Sequence, residues 1–119
     1  MARVLVVDDA ALMRRVLGDA LGAAGHVVVG EATNGVEAVA SFQALRPELT
    51  MLDIVMPEKD GLAALAEIMA INPAARVVMC SMLGQESKML KSIKLGAKDF
   101  VVKPFQAEGL LEAINNALG

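Results

Sequence analysis

The stretch Leu49-Thr50-Met51-Leu52-Asp53-Ile54-Val55-Met56-Pro57 decides how the rest of the chain is read. It opens as a short, mostly apolar run, reaches an acid, and meets a chain-breaking proline four residues later. Leu49 to Leu52 therefore reads as a buried strand that delivers Asp53 to its carboxyl end. One aspartate after an apolar run is ordinarily a cap or a turn former. Here three other apolar runs also end on polar residues with useful chemistry: Asp8 and Asp9, Ser81, and Lys103.

Working outward from that strand, the same alternation covers the chain. Arg3 to Val7 is a β-branched, apolar first strand closed by Asp8 and Asp9. Met13, Val16, Leu17, Ala20, Leu21 and Ala24 recur at helical spacing within a first helix over Ala10 to Ala24, which Gly25 stops. His26 reads as a solvent-exposed turn residue. Val27 to Glu31 is a second strand, and Thr33-Asn34-Gly35 is a turn and helix-start signal. Ala38, Val39, Phe42 and Leu45 make the buried stripe of helix two, which ends at Arg46-Pro47 because a residue before proline avoids helical dihedrals. Beyond the Pro57 to Asp60 loop, Leu62, Leu65, Ile68 and Met69 mark helix three, stopped by Asn72-Pro73. Strand four is Arg76 to Cys80, helix four Gln85 to Leu95, strand five Phe100 to Val102, and Ala107, Leu110, Leu111, Ile114 and Leu118 share one face of a last helix. Five strand–helix units predict an α/β, doubly wound, five-stranded parallel sheet with right-handed connections. Chemistry on such sheets sits beyond the carboxyl ends of the strands, at the switch in strand order. That is where the four polar strand ends fall.

Composition narrows the function. The chain has 119 residues, enough for one domain with a real core, and no linker or tandem repeat divides it. It is 55% hydrophobic, yet no apolar run approaches the roughly 20 residues that span a bilayer. Asp8 and Asp9 interrupt any signal-like segment, so a cytoplasmic protein without membrane insertion is expected. A lone cysteine, Cys80, has no internal partner and reads as a buried thiol; one His and one Cys make zinc improbable. The net charge of −3 and the absence of Trp and Tyr argue against a nucleic-acid surface.

Three carboxylates converging on one sheet edge repel one another unless a cation intervenes. A hard divalent ion such as Mg²⁺ suits two or three acids and a carbonyl. Lysine adds a point charge for an anionic oxygen, and a serine hydroxyl can donate to the same group. The set fits a phosphoryl group, with a carboxylate able to accept phosphorus covalently. Without metal the edge is expected to be strained, such that removing Asp8 or Asp9 relieves it.

The residues that carry this chemistry also carry a resemblance. Val6-Val7-Asp8-Asp9, Leu52-Asp53-Ile54-Val55-Met56-Pro57 with Asp60-Gly61, Cys80-Ser81 and Val102-Lys103-Pro104-Phe105 together resemble the receiver domain of two-component response regulators. The resemblance spans residues 1–119 as a single receiver domain with no output domain, and looks most like the stand-alone chemotaxis regulators of the CheY type. It implies a flavodoxin-like sheet of order 2-1-3-4-5 flanked by five helices. It implies that Asp53 is the phosphoacceptor, that Asp8, Asp9, Asp53 and the Val55 backbone carbonyl hold Mg²⁺, and that Lys103 grips a phosphoryl oxygen. Ser81 and Phe100 match the switch hydroxyl and the switch aromatic, and the Lys103-Pro104 bond is expected to be cis. The implied partners are a sensor histidine kinase, a flagellar motor switch protein or other output protein, and a dedicated phosphatase. The implied function is a phosphorylation-activated regulator, not an enzyme on other substrates.

Other readings remain open at this level. A phosphorelay intermediate or a receiver cut from a DNA-binding regulator shares the motifs. An aspartate-nucleophile phosphatase needs a second acid two residues after the nucleophile, where Val55 stands. A pseudo-receiver that only binds is opposed by intact Asp8, Asp9, Asp53, Ser81 and Lys103. Lys88, Lys91, Lys94 and Lys98 line one side of helix four and its exit, as a solvated face or as a docking surface for an acidic segment. Met82 departs from the small residue usual in that family after Ser81; it either roofs the site with Val55 and Leu83 or packs against helix four. Core filling accounts for most of the eight methionines, Met89 among those near helix four.

Overall fold

Alternate residues of a strand face opposite sides of its sheet, so an apolar parallel strand feeds two cores at once. A computed structural model, describing residues 1–119, shows this directly. The elements are β1 (Arg3–Val7), α1 (Ala11–Ala23), β2 (Val27–Ala32), α2 (Gly35–Leu45), β3 (Leu49–Asp53), α3 (Gly61–Ile71), β4 (Val77–Met82), α4 (Glu86–Leu95), β5 (Asp99–Lys103) and α5 (Ala107–Leu118). All strand pairs are parallel and the order is β2-β1-β3-β4-β5, the flavodoxin-like doubly wound sheet. Leu5, Val7, Leu52 and Met79 pack with Phe42, Leu65, Ile68 and Met89 of α2, α3 and α4. Val4, Val6, Met51 and Cys80 pack on the other face with Leu17, Leu21, Leu110 and Ile114 of α1 and α5.

Local signals set where helices begin. The Asn34 side chain accepts from the Glu37 amide at 2.8 Å, and the Asp60 side chain from the Ala63 amide at 2.9 Å, so both turn motifs are helix caps. Gly61 is required by contact: a Cβ there would collide with the Asp53 carbonyl oxygen, and its own amide donates to Ile54 at 2.7 Å. The Lys103–Pro104 peptide is cis.

Several expected details differ. The strands run further than their apolar runs: Asp53, Ser81 and Lys103 lie within the ladders, because their backbones still pair with neighbouring strands. Strand four starts at Val77 rather than Arg76, and helix one is shorter by a residue at each end. Within α1 only Leu17 and Leu21 are buried, and Val16 and Ala24 are exposed, since this helix covers one side of the sheet with a narrow stripe. His26 is not a free turn residue. It is half-buried, and its Nδ1 accepts from the Ala2 amide at 3.0 Å, anchoring the start of the chain. Arg46 leaves α2 in the left-handed region (φ 46°), a C-terminal stop held by its amide on the Phe42 carbonyl. No helix is long and apolar enough to cross a membrane.

One polar group inside the sheet has no partner. The Thr50 hydroxyl on β3 is fully buried and makes no hydrogen bond. A buried unsatisfied hydroxyl costs about 1–3 kcal/mol, and an apolar side chain of the same shape removes that cost. Thr50→Val is expected to raise stability by about 1 kcal/mol in urea melts, with an unchanged m-value.

Candidate functional site

The site is assembled where β1, β3, β4 and β5 end together. The ladder continues past β1, because the Asp8 amide donates to Ala32 at 3.1 Å, and this carries the Asp8 carboxylate into a pocket that leaves it 1% exposed. One Asp8 oxygen accepts from the Ala10 amide at 2.9 Å, which sets the turn into α1. The other accepts from Lys103 Nζ at 2.6 Å. Asp53, at the end of β3, is buried and lies 3.4 Å from the same ammonium. Asp9 is exposed, at the rim. Oxygens of Asp8, Asp9 and Asp53 all lie within 4.8 Å of one another. The three acids and the lysine singled out in the sequence thus form one cluster.

Its charges are unevenly satisfied. Burial pushes the Asp53 carboxyl from an ordinary 3.8 up to about 6; Lys103 pulls it down, and Asp8 and Asp9 push it further up. Burial works against the Lys103 ammonium, but the Asp8 hydrogen bond and the attraction of Asp53 outweigh it and leave its pKa raised. The strain therefore shows at Asp53. Asp8 adds to that strain, yet it is also the closest counter-ion of a largely buried lysine and holds the Ala10 amide. Nearby, burial drives the Cys80 thiol up to about 12, so it is inert at neutral pH.

The remaining sequence candidates divide. Ser81 is fully buried on β4, yet its hydroxyl makes no hydrogen bond to the acids; it donates to Met89 Sδ on α4 at 2.9 Å. Phe100 on β5 is 36% exposed, in a shallow groove shared with Val102, Pro104 and Phe105. Val55 is half-exposed just past β3, and no backbone amide donates to its carbonyl, which is free for a ligand. Met82 and Leu83 are both more than half exposed, so Met82 does not pack away against α4. Lys88, Lys91, Lys94 and Lys98 are exposed, and none lies in an ion pair.

Two contributors were missed in the sequence. Arg14 on α1 donates to the Asp8 carbonyl at 2.8 Å and pairs with Glu31 at 2.8 Å, bracing the turn that carries Asp8 and Asp9. Its placement five residues after Asp9, on the first turn of a helix, was the available signal. Met89 offered none, since nothing separates an acceptor thioether from core filling by type alone. A cavity of about 470 Å³ between Phe42, Arg46, Pro47 and Ile71 is lined by no acid.

A donor set of three carboxylates and one free carbonyl, all oxygen, suits a hard cation such as Mg²⁺. The raised pKa of Asp53 has a definite pH signature. Its folded value exceeds its unfolded one, so the native state holds the proton more tightly between about pH 4 and 6. Stability contributed by this group is then present at low pH and lost as pH rises through about 6, by roughly 2–3 kcal/mol. In chelator, Asp53→Asn is expected to stabilise the protein by about 2 kcal/mol at pH 7 and by nearly nothing at pH 3.5. Urea melts at the two pH values measure this; an equal gain at both contradicts it.

Residues 4–115 match the family model described as response regulator receiver domain. The chain is similar to the chemotaxis protein CheY of Thermotoga maritima, 51% identical over 95% of this chain and 94% of that protein. It is similar to that of Bacillus subtilis at 52% identity over 98% of this chain and 97% of the other. Among solved structures, the CheX–CheY–BeF3–Mg complex from Borrelia burgdorferi superimposes with a TM-score of 0.94 at 32% identity, covering 98% of this chain and 89% of that one. The response regulator domain of Thermotoga maritima CheB does so with a TM-score of 0.90 at 40% identity, covering 98% and 95%. The chain belongs to the response regulator receiver domain family and is a phosphorylation-activated regulator of the two-component, chemotaxis-type class.

Proposed function

We propose that Asp53 is the phosphoacceptor and that residues 1–119 act as one receiver domain in the cytoplasm. The observation that carries this is a buried carboxylate 3.4 Å from Lys103 and within 4.8 Å of two further acids. An Asp53 oxygen attacks phosphorus on a phosphohistidine of a sensor kinase, the P–N bond breaks, and the imidazole leaves. Asp8, Asp9, Asp53 and the Val55 carbonyl would hold Mg²⁺, which would supply positive charge beside the incoming phosphoryl group. Lys103 is anchored by Asp8, so its ammonium is already aimed when the phosphoryl group arrives. Ser81 turns to donate to a phosphoryl oxygen, and Phe100 moves into the space that this vacates. The protein carries out this chemistry only on itself.

The output surface in this reading is α4 with β5 and α5. Lys88, Lys91, Lys94 and Lys98 are unpaired there, and Leu90 and Ile93 on the same helix are exposed. Such a surface suits an acidic, partly apolar segment of a motor switch or other output protein. One solved CheY neighbour is itself bound to CheX; a dedicated phosphatase is a further partner in this reading.

Intact-mass spectrometry after acetyl phosphate and Mg²⁺ tests the assignment. Wild type is expected to gain one phosphoryl group and Asp53→Asn none; full modification of the variant removes Asp53 from its role. Met82 supplies a second test. Its exposed side chain beside Lys103 in the β4–β5 register, with exposed Val55 and Leu83, forms an apolar rim over the strand ends. Met82→Ala is expected to speed both phosphorylation and spontaneous dephosphorylation severalfold, since a factor of ten needs only about 1.4 kcal/mol of barrier. Unchanged rates in both directions leave it a surface residue.

A further inference from the structure

A serine hydroxyl has one proton to donate. In this structure Ser81 donates it to Met89 Sδ at 2.9 Å, and both residues are buried. A thioether is a weak acceptor, whereas a phosphoryl oxygen is anionic and makes a charge-assisted bond. The hydroxyl therefore has two exclusive partners of unequal strength, one present at rest and one only after phosphorylation. Met89 is itself gripped, because Ser92 Oγ donates to the Met89 carbonyl at 2.6 Å within the same helix turn. Met89 and Ser92 face the core from that turn, while Lys88 and Lys91, next to them in the chain, are exposed.

We infer that the Ser81–Met89 hydrogen bond is the latch of the resting state. Met89 is a positioning residue: it holds the hydroxyl away from Asp53 and ties that choice to α4. The latch opposes activation weakly, by design of its acceptor, and its release is felt first at the turn that carries the lysines. This inference rests on the reading of Asp53 as phosphoacceptor and of Ser81 as the group that turns to the phosphoryl oxygen.

The experiment is a titration with beryllofluoride in excess Mg²⁺, followed by amide NMR shifts, on four proteins: wild type, Met89→Leu, Ser81→Ala and the double variant. Leucine conserves volume and removes the acceptor, and Met89→Ile is carried alongside so that repacking in one variant does not decide the result. Met89→Leu is expected to bind about fivefold more tightly than wild type, the factor that one neutral hydrogen bond is worth. The same change is expected to alter nothing in the Ser81→Ala background, because no hydroxyl remains to be held. An unchanged or weaker affinity in both sulfur-free variants overturns the latch. So does an equal gain in the Ser81→Ala background, which marks a packing effect. Asp53→Asn is the control for the underlying reading. If wild type binds no better than this variant, the phosphoacceptor assignment fails and the latch with it; if wild type binds and only the cycle is flat, the latch alone fails.

Discussion

Lys103 stands between two carboxylates, 2.6 Å from Asp8 and 3.4 Å from Asp53, and its single positive charge cannot neutralise both. Asp8 has the shorter bond and the backbone amide of Ala10 as well. Asp53 is left buried with a partial share of one cation, and burial dominates its raised pKa. The resting site is thus electrostatically incomplete at the one side chain proposed to react. A hard cation would complete it, and carboxylate oxygens of Asp8, Asp9 and Asp53 already lie within 4.8 Å of one another. Such preorganisation suits phosphoryl transfer, where the protein contributes position and charge more than covalent steps.

The sheet makes this arrangement rigid. Asp8, Asp53, Ser81 and Lys103 come from four adjacent strands, and each lies within or one residue past a ladder whose flanks are buried in two cores. Alternation then sorts neighbours by role. Cys80 points into the core beneath α1 and α5, while Ser81, one residue on, turns toward Met89 on the α4 side. Met89 sits beside Lys88 in α4, so a change in what Ser81 bonds has a short physical route to the exposed lysines.

Most of the fold was legible from periodicity. The strand–helix alternation, the caps at Asn34 and Asp60 and the stop at Gly25 are local events, and local chemistry writes them plainly. Boundaries were less legible. The strands extend through Asp53, Ser81 and Lys103 because ladder pairing depends on a neighbour far away in sequence, which no apolar run records. The free-turn reading of His26 failed for the same reason: its partner, the Ala2 amide, lies 24 residues away.

By itself the sequence determined which residues stand at the strand ends, and hence the acids, the lysine and the hydroxyl available to the site. Side-chain type and position in a parallel sheet suffice for that. Only the tertiary structure decided how these groups divide one another's charge and protons. Lys103 bonds Asp8 more closely than Asp53, Arg14 braces the Asp8 carbonyl, and Ser81 gives its proton to Met89. Hydrogen bonds and Coulomb forces act over a few ångströms in space, and those distances exist only once the strands and helices have closed on each other.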